Sequence, residues 1–289
     1  GDYLGIGAGA HGKLGLPAMG GVGCGWATSL SNGTAAIALL IYLNRSRTFR
    51  QFHLLADWVK PNWQGIRYIL GIGVPIGFTI FVEASMFSVI ALFLAPLGPV
   101  IVAGHQIALN VVSLLFMLPL SIGMALTLRV SFLVGAQAPD TARLISRSSL
   151  ILASAVALIF ATLLFVFSAQ IAALYTGDQA VRDVTIRLLA FAAMFQVADV
   201  IQVTCISALR GYKDTRIPMF IMLFSFWGVG LPLGYVLTFT DLLWPALGAA
   251  GFWVGLTAGL TSASVLLGWR LFRYQPGNED TGDQNNQPS

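Results

Sequence analysis

The sequence predicts an all-α integral membrane protein of about seven transmembrane helices, one leading helix followed by a six-helix lobe. Of its 289 residues, 56% are hydrophobic and only 10% charged, with a mean hydropathy of +0.79, a balance too apolar for a domain solvated by water. Seven apolar stretches reach the roughly 20 residues that a bilayer-crossing helix needs. They lie at 20–43, 69–95, 106–128, 148–168, 188–209, 217–240 and 244–269. The runs are long and unbroken, unlike the ten-residue alternation of barrel strands, so a helical bundle is the expected way to satisfy every backbone group in hydrocarbon.

The basic residues test this parse independently, because Lys and Arg collect in cytoplasmic connections. Thirteen of the sixteen fall in alternate connections, at Arg45, Arg47, Arg50, Lys60 and Arg67, at Arg129, Arg143 and Arg147, at Arg210, Lys213 and Arg216, and at Arg270 and Arg273. Lys13, Arg182 and Arg187 occupy the others. That alternation sets the amino end of this chain outside and its carboxyl end in the cytoplasm. The net charge of +4 is thus a topology signal, and no nucleic-acid partner is expected.

Taken in order, residues 1–44 comprise a Gly-rich external loop and the leading helix, and the opening on Gly1 without a signal-peptide pattern reads as a loop inside a longer protein. The GGVGCG run at 20–25 follows no strand, so close helix packing explains it better than a nucleotide loop. Residues 45–66 are a basic connection with Phe49, Phe52, Leu55, Trp58 and Val59 at helical spacing, expected to form a cytoplasmic amphipathic helix at the membrane surface between two lobes. The six-helix lobe occupies 67–273, with Pro75, Pro119 and Pro232 expected to bend its helices. The polar tail 274–289 has nothing to bury and is expected to be disordered.

Two acidic residues, Glu83 and Asp199, lie inside the apolar spans, each near the middle, and no Lys or Arg lies deep in a span beside them. A charge at the bilayer centre costs about 2.5–3.5 kcal/mol on insertion scales, so such carboxylates mark function by default. At matching depth both can face one internal cavity, take up a proton, ligate Na+ through oxygen or attract a cationic solute. The bland alternative is a pair of protonated acids fastening helices together. Gln196, Asp199 and Gln202 form one polar stripe, and Gln106, Asn110 and Ser113 a second; the amides serve equally as interhelical hydrogen bonds or as a solute lining. Met86, Phe87, Phe116, Met117, Met194 and Phe195 suit either helix packing or an adaptable wall for apolar cations.

His105, alone at the outer end of its span, reads as a satisfied polar residue. Cys24 and Cys205 lie in apolar runs and form neither a disulfide framework nor a zinc spacing. No nucleophile triad, paired metal ligands or phosphate loop occurs at workable spacing, so an enzyme is not expected, nor a cofactor. A retinal receptor also has seven helices, but residues 244–269 lack the lysine it needs.

The strings GGVGCGWAT (20–28), GVPIGFTIFVEASMF (73–87), AGHQIALN (103–110) and ALRGYKDTR (208–216), in this order, resemble the NorM-type branch of the multidrug and toxic compound extrusion (MATE) family. The resemblance implies twelve helices in two six-helix lobes, of which this chain carries the sixth helix, the linker and the second lobe, with the first five helices outside it. It implies a monomeric inner-membrane antiporter exporting cationic amphipathic drugs in exchange for Na+ or H+, with Glu83 and Asp199 as coupling carboxylates. Cys24 matches a family cysteine near the cation site, whereas the tyrosine common four residues before the second carboxylate is Phe195 here. The asparagines that usually close the fifth helix have no clear match beyond Asp2-Tyr3. A flippase of lipid-linked saccharides from the same superfamily is the alternative, expected to carry a more basic cavity; a third reading is a piece inactive without its first lobe.

Overall fold

A computed structural model describes residues 20–45, 62–241, 245 and 247–273, and the side chains of 20–24 and 44 lie outside that description. The expectations for the loop before Gly20, the amphipathic linker helix at 46–61 and the tail 274–289 therefore fall outside the described residues. The chain divides into two compact units, 1–63 and 64–289. In the first, α1 (Gly20–Arg45) ends on a basic turn at Arg45.

The second unit contains α2 (Trp63–Leu94) from its second residue on, then α3 (Pro99–Gly135), α4 (Pro139–Val166), α5 (Ser168–Tyr175), α6 (Gln179–Gly211), α7 (Arg216–Leu223), α8 (Leu231–Phe239) and α9 (Ala249–Arg273). A π-helical turn, Phe224–Gly230, joins α7 to α8 as one span. Among the described residues, seven helical segments are long and apolar enough to cross a membrane, as the hydropathy predicts. Several of the helices extend beyond the apolar runs, and one of them is capped by a side chain. For α6, Asp178 Oδ1 accepts from the backbone N–H groups of Ala180 at 2.8 Å and Val181 at 3.4 Å, satisfying donors the first turn leaves free. Between α2 and α3 a short turn at Ala95–Leu97 ends on Gly98 with φ of 103°, a conformation open to glycine, and Pro99 starts the next helix.

Helix α6 is the centre of the unit, packed against α3, α4 and α9 and buried along most of its length. Polar side chains in a membrane helix face the bundle interior, and α6 buries Gln196, Asp199 and Gln202, while its small residues let its neighbours close on it. Gly123 and Gly211 make the α3–α6 seam tight, since an added Cβ would lie 2.6 Å from Ser207 Oγ and 2.7 Å from Val130 Cβ respectively. Across that seam Thr127 Oγ1 donates to the Ser207 carbonyl at 2.8 Å. Pro75 and Pro119 lie within α2 and α3. Pro232 sits in the first turn of α8 directly after the π turn, so the register change there is a π bulge.

Candidate functional site

Glu83 of α2 and Asp199 of α6 line the same chamber of about 570 Å³, whose third wall is α3. Asp199 is 4% exposed and Glu83 half-buried, so both carboxylates are held within the bundle and not in the surrounding lipid. Neither has a hydrogen-bond or salt-bridge partner among the described residues. They lie within electrostatic reach of each other. Two like charges at such largely buried positions repel more than they would in bulk water, so the pair is suited to share a proton or a cation.

The polar stripe of α3 reaches the chamber as its four-and-three spacing predicts: Gln106, Asn110 and Ser113 are all in the lining. Tyr175 at the end of α5 donates from its hydroxyl to Asn110 Oδ1 at 3.4 Å, a contact the sequence did not single out. The α6 stripe divides. A spacing of three leaves each residue about 60° behind the last on a 3.6-residue helix, and only Asp199 is in the lining. Gln196 is fully buried, with no partner for either amide atom among the described residues, while Gln202 Nε2 donates to Met222 Sδ at 3.1 Å. Cys24 belongs to the other unit, and its side chain is outside the described residues.

Of the apolar residues weighed as a lining, Phe87, Phe116, Met117 and Phe195 face the chamber. Met86 is fully buried in the core and Met194 is 64% exposed on another face of α6. Phe195 packs edge-on against Phe87 and Trp253, with ring centroids 6.3 and 5.6 Å apart. His105 is 1% exposed, edge-on to Trp253 at 5.9 Å, and neither ring nitrogen has a partner among the described residues. It is therefore a buried imidazole, not the satisfied polar residue expected.

No Lys or Arg is in the chamber lining, as the sequence suggested, yet the carboxylates are not wholly without a positive neighbour. Arg210, in the last turn of α6, is partly buried and acts on Glu83 through space. Sequence position alone hid this, because a long side chain at a helix end extends well beyond its own turn. Among the described residues no group of three or more His, Cys, Asp or Glu is placed to hold a metal ion. A cation in the chamber would take its oxygens from the two carboxylates and the amides of Gln106 and Asn110.

The MatE family model matches residues 75–236, from within α2 into α8. The chain is 42% identical over 263 residues to the probable multidrug resistance protein NorM of Idiomarina loihiensis, covering 91% of this chain and 57% of that protein. It is 43% identical over 263 residues to the multidrug resistance protein PmpM of Pseudomonas aeruginosa, covering 91% of this chain and 55% of that one. The chain thus spans little more than half the length of these curated relatives. Among solved structures, the MATE transporter NorM-NG, in complex with a dye and a monobody, superposes with a TM-score of 0.76 at 39% identity, over 100% of this chain and 61% of that chain. The eukaryotic MATE transporter AtDTX14 shares the fold at a TM-score of 0.81 and 19% identity, over 92% of this chain and 58% of that chain.

Proposed function

The chain belongs to the MatE family, and from that premise we propose that it supplies the cation-coupled second lobe of an antiporter exporting cationic amphipathic compounds in exchange for Na+ or H+. The observation that carries this reading is the convergence of Glu83 and Asp199 on one chamber whose lining has no basic residue. A proton or Na+ entering from outside neutralises part of the carboxylate charge, and a cationic drug competes for the same charge. Phe87, Phe116 and Phe195 offer ring faces to such a drug, and Met117 an adaptable apolar contact. For transport, cation occupancy must favour one orientation of the lobes over the other, because a ligand with equal affinity for both shifts nothing. Rocking of two lobes about a midplane site then exchanges the ions.

In this reading 67–273 is the second lobe, 45–66 joins it to a first lobe that forms the other wall of the cleft, and the complete protein works as a monomer in the inner membrane. The amino end of this chain is outside and its carboxyl end in the cytoplasm, as the Lys and Arg distribution argues. Phe195 supplies no hydroxyl, which leaves Na+ with carboxylate and amide oxygens as ligands. A lipid-linked saccharide would call for a basic chamber and finds none in this lining.

The test is efflux of ethidium, a cationic amphipathic dye, from vesicles carrying this chain together with its first lobe, with sodium and pH gradients imposed separately. Efflux driven by one gradient identifies the coupling ion. Efflux indifferent to both would overturn the antiport reading.

A further inference from the structure

The aromatic wall of the chamber continues beyond the residues that line it. Phe87 of α2 meets Phe195 of α6 edge-on at 6.3 Å between centroids, and both rings are in the lining. Behind Phe195 stands Trp253 of α9, edge-on at 5.6 Å. Behind Trp253 stands His105 of α3, edge-on again at 5.9 Å. Successive ring planes are inclined by 70°, 74° and 71°, an arrangement in which the positive edge of one ring meets the negative face of the next. Four helices are thereby tied into one file of rings. Neither His105 nor Trp253 is in the chamber lining, so the file reaches the chamber at Phe195 and Phe87 and has its other end in the core.

That inner end is anchored. Beside His105, Gly104 brings α3 so close to α6 that an added Cβ would lie 2.6 Å from Val184 Cγ1 and 3.4 Å from the Thr185 nitrogen. On either side of Trp253, Gly251 and Gly255 press α9 onto α8, where an added Cβ would lie 2.6 Å from the Thr238 nitrogen and 2.5 Å from the Gly234 nitrogen. Both backbones are therefore held in place on those sides. His105, Trp253 and Phe195 are all buried, and in an interior packed to crystal density each ring is confined by its neighbours. Among the described residues neither ring nitrogen of His105 has a hydrogen-bond partner, nor has Trp253 Nε1. No hydrogen bond among these residues fixes the imidazole or the indole, and their mutual edge-on contact is what orients both.

We propose that His105 is a positioning residue for the drug-facing wall: acting through Trp253, it holds Phe195 and Phe87 at the angle that receives a flat aromatic cation. The proposal rests on the export reading above and concerns affinity for the drug, not for the coupling ion. It is tested by ethidium efflux from vesicles carrying this chain together with its first lobe, read as KM and kcat. His105→Ala removes the inner ring and leaves space behind Trp253. Its KM for ethidium is expected to rise roughly fivefold, the equivalent of about 1 kcal/mol for one edge-on ring pair, with kcat and the half-saturating coupling-ion concentration unchanged. His105→Phe keeps a ring edge against the indole and should restore most of the wild-type KM. A merely structural role would lower kcat through loss of active protein and leave KM alone. Trp253→Phe, which shortens the middle of the file, should also raise KM, and it carries the test where the alanine variant fails to fold. In His105→Ala combined with Phe195→Leu the two KM effects should fall short of multiplying, because the residues act as one unit. An unchanged KM in either folded file variant overturns the proposal, as do effects that multiply or a His105→Phe protein no better than His105→Ala. Phe195→Leu with an unchanged ethidium KM overturns the export reading of the chamber and the proposal with it. A raised KM in Phe195→Leu beside an unaffected His105→Ala overturns the proposal alone.

Discussion

Glu83 and Asp199 are each ordinary acids in composition and become a pair only through their shared chamber. If coupling runs through them, Glu83→Gln and Asp199→Asn should each reduce gradient-driven ethidium efflux by roughly 5–150-fold, the usual range of a coupling free energy. Membrane insertion, followed by the protein recovered in the membrane fraction, should be intact. Gradient-dependent efflux surviving in both variants sinks the mechanism. Phe195 allows a finer test, since it lines the chamber four residues before Asp199. Phe195→Tyr adds an oxygen there, and one added polar contact of about 1 kcal/mol should lower the Na+ concentration giving half-maximal efflux by roughly fivefold. An unchanged sodium dependence removes this position from the cation site.

Elements in this lobe are fastened by close approach more than by bulk apolar contact, because lipid tails compete equally well for hydrophobic surface. Gly251, Gly255 and Gly259 of α9 meet the π turn and α8, and an added Cβ at Gly255 would lie 2.5 Å from the Gly230 carbonyl oxygen and the Gly234 nitrogen. Backbone cannot swing aside as a side chain can. Gly255→Leu should therefore cost at least the roughly 1–3 kcal/mol of an overpacked core, read as a lower thermal midpoint in detergent. At the basic end, the Arg270–Asp214 bridge ties α9 to the turn after α6, with Asp214 8% and Arg270 26% exposed. Asp214→Asn removes the acid from this partly buried bridge, and losing a charge-assisted hydrogen bond costs about 1.5–3 kcal/mol. The same thermal assay should show a drop of several degrees, and an unaltered midpoint would mean that water already screens the bridge.

At the scale of the whole molecule, the alternating basic connections make a directional prediction about the bilayer. With Cys24 and Cys205 replaced by Ala, a membrane-impermeant maleimide should label Gln179→Cys in intact cells and Arg143→Cys only after permeabilisation. The reverse pattern would invert the orientation. Two concave faces are also separated on one helix: Phe195 and Asp199 of α6 line the chamber, while Phe191 and Met194 line an apolar trough against α9. A central helix buried on most sides can serve both because successive residues point about 100° apart.

Much of this was legible without coordinates, because the bilayer imposes a length and a polarity on every crossing segment. Hydropathy and basic-residue placement alone yielded seven spans, and the cost of burying charge singled out Glu83 and Asp199. The α3 stripe was legible too, since spacings of four and three stay on one helical face. What sequence could not decide was any contact between helices, which depends on how each is rotated and where its long side chains reach. That is why Gln196 and Gln202 turn away from the chamber while Asp199 enters it, and why Arg210 acts on Glu83 from the end of another helix. It is also why His105 lies against Trp253, and why a run of small residues on α9 becomes a trough only when α6 stands beside it.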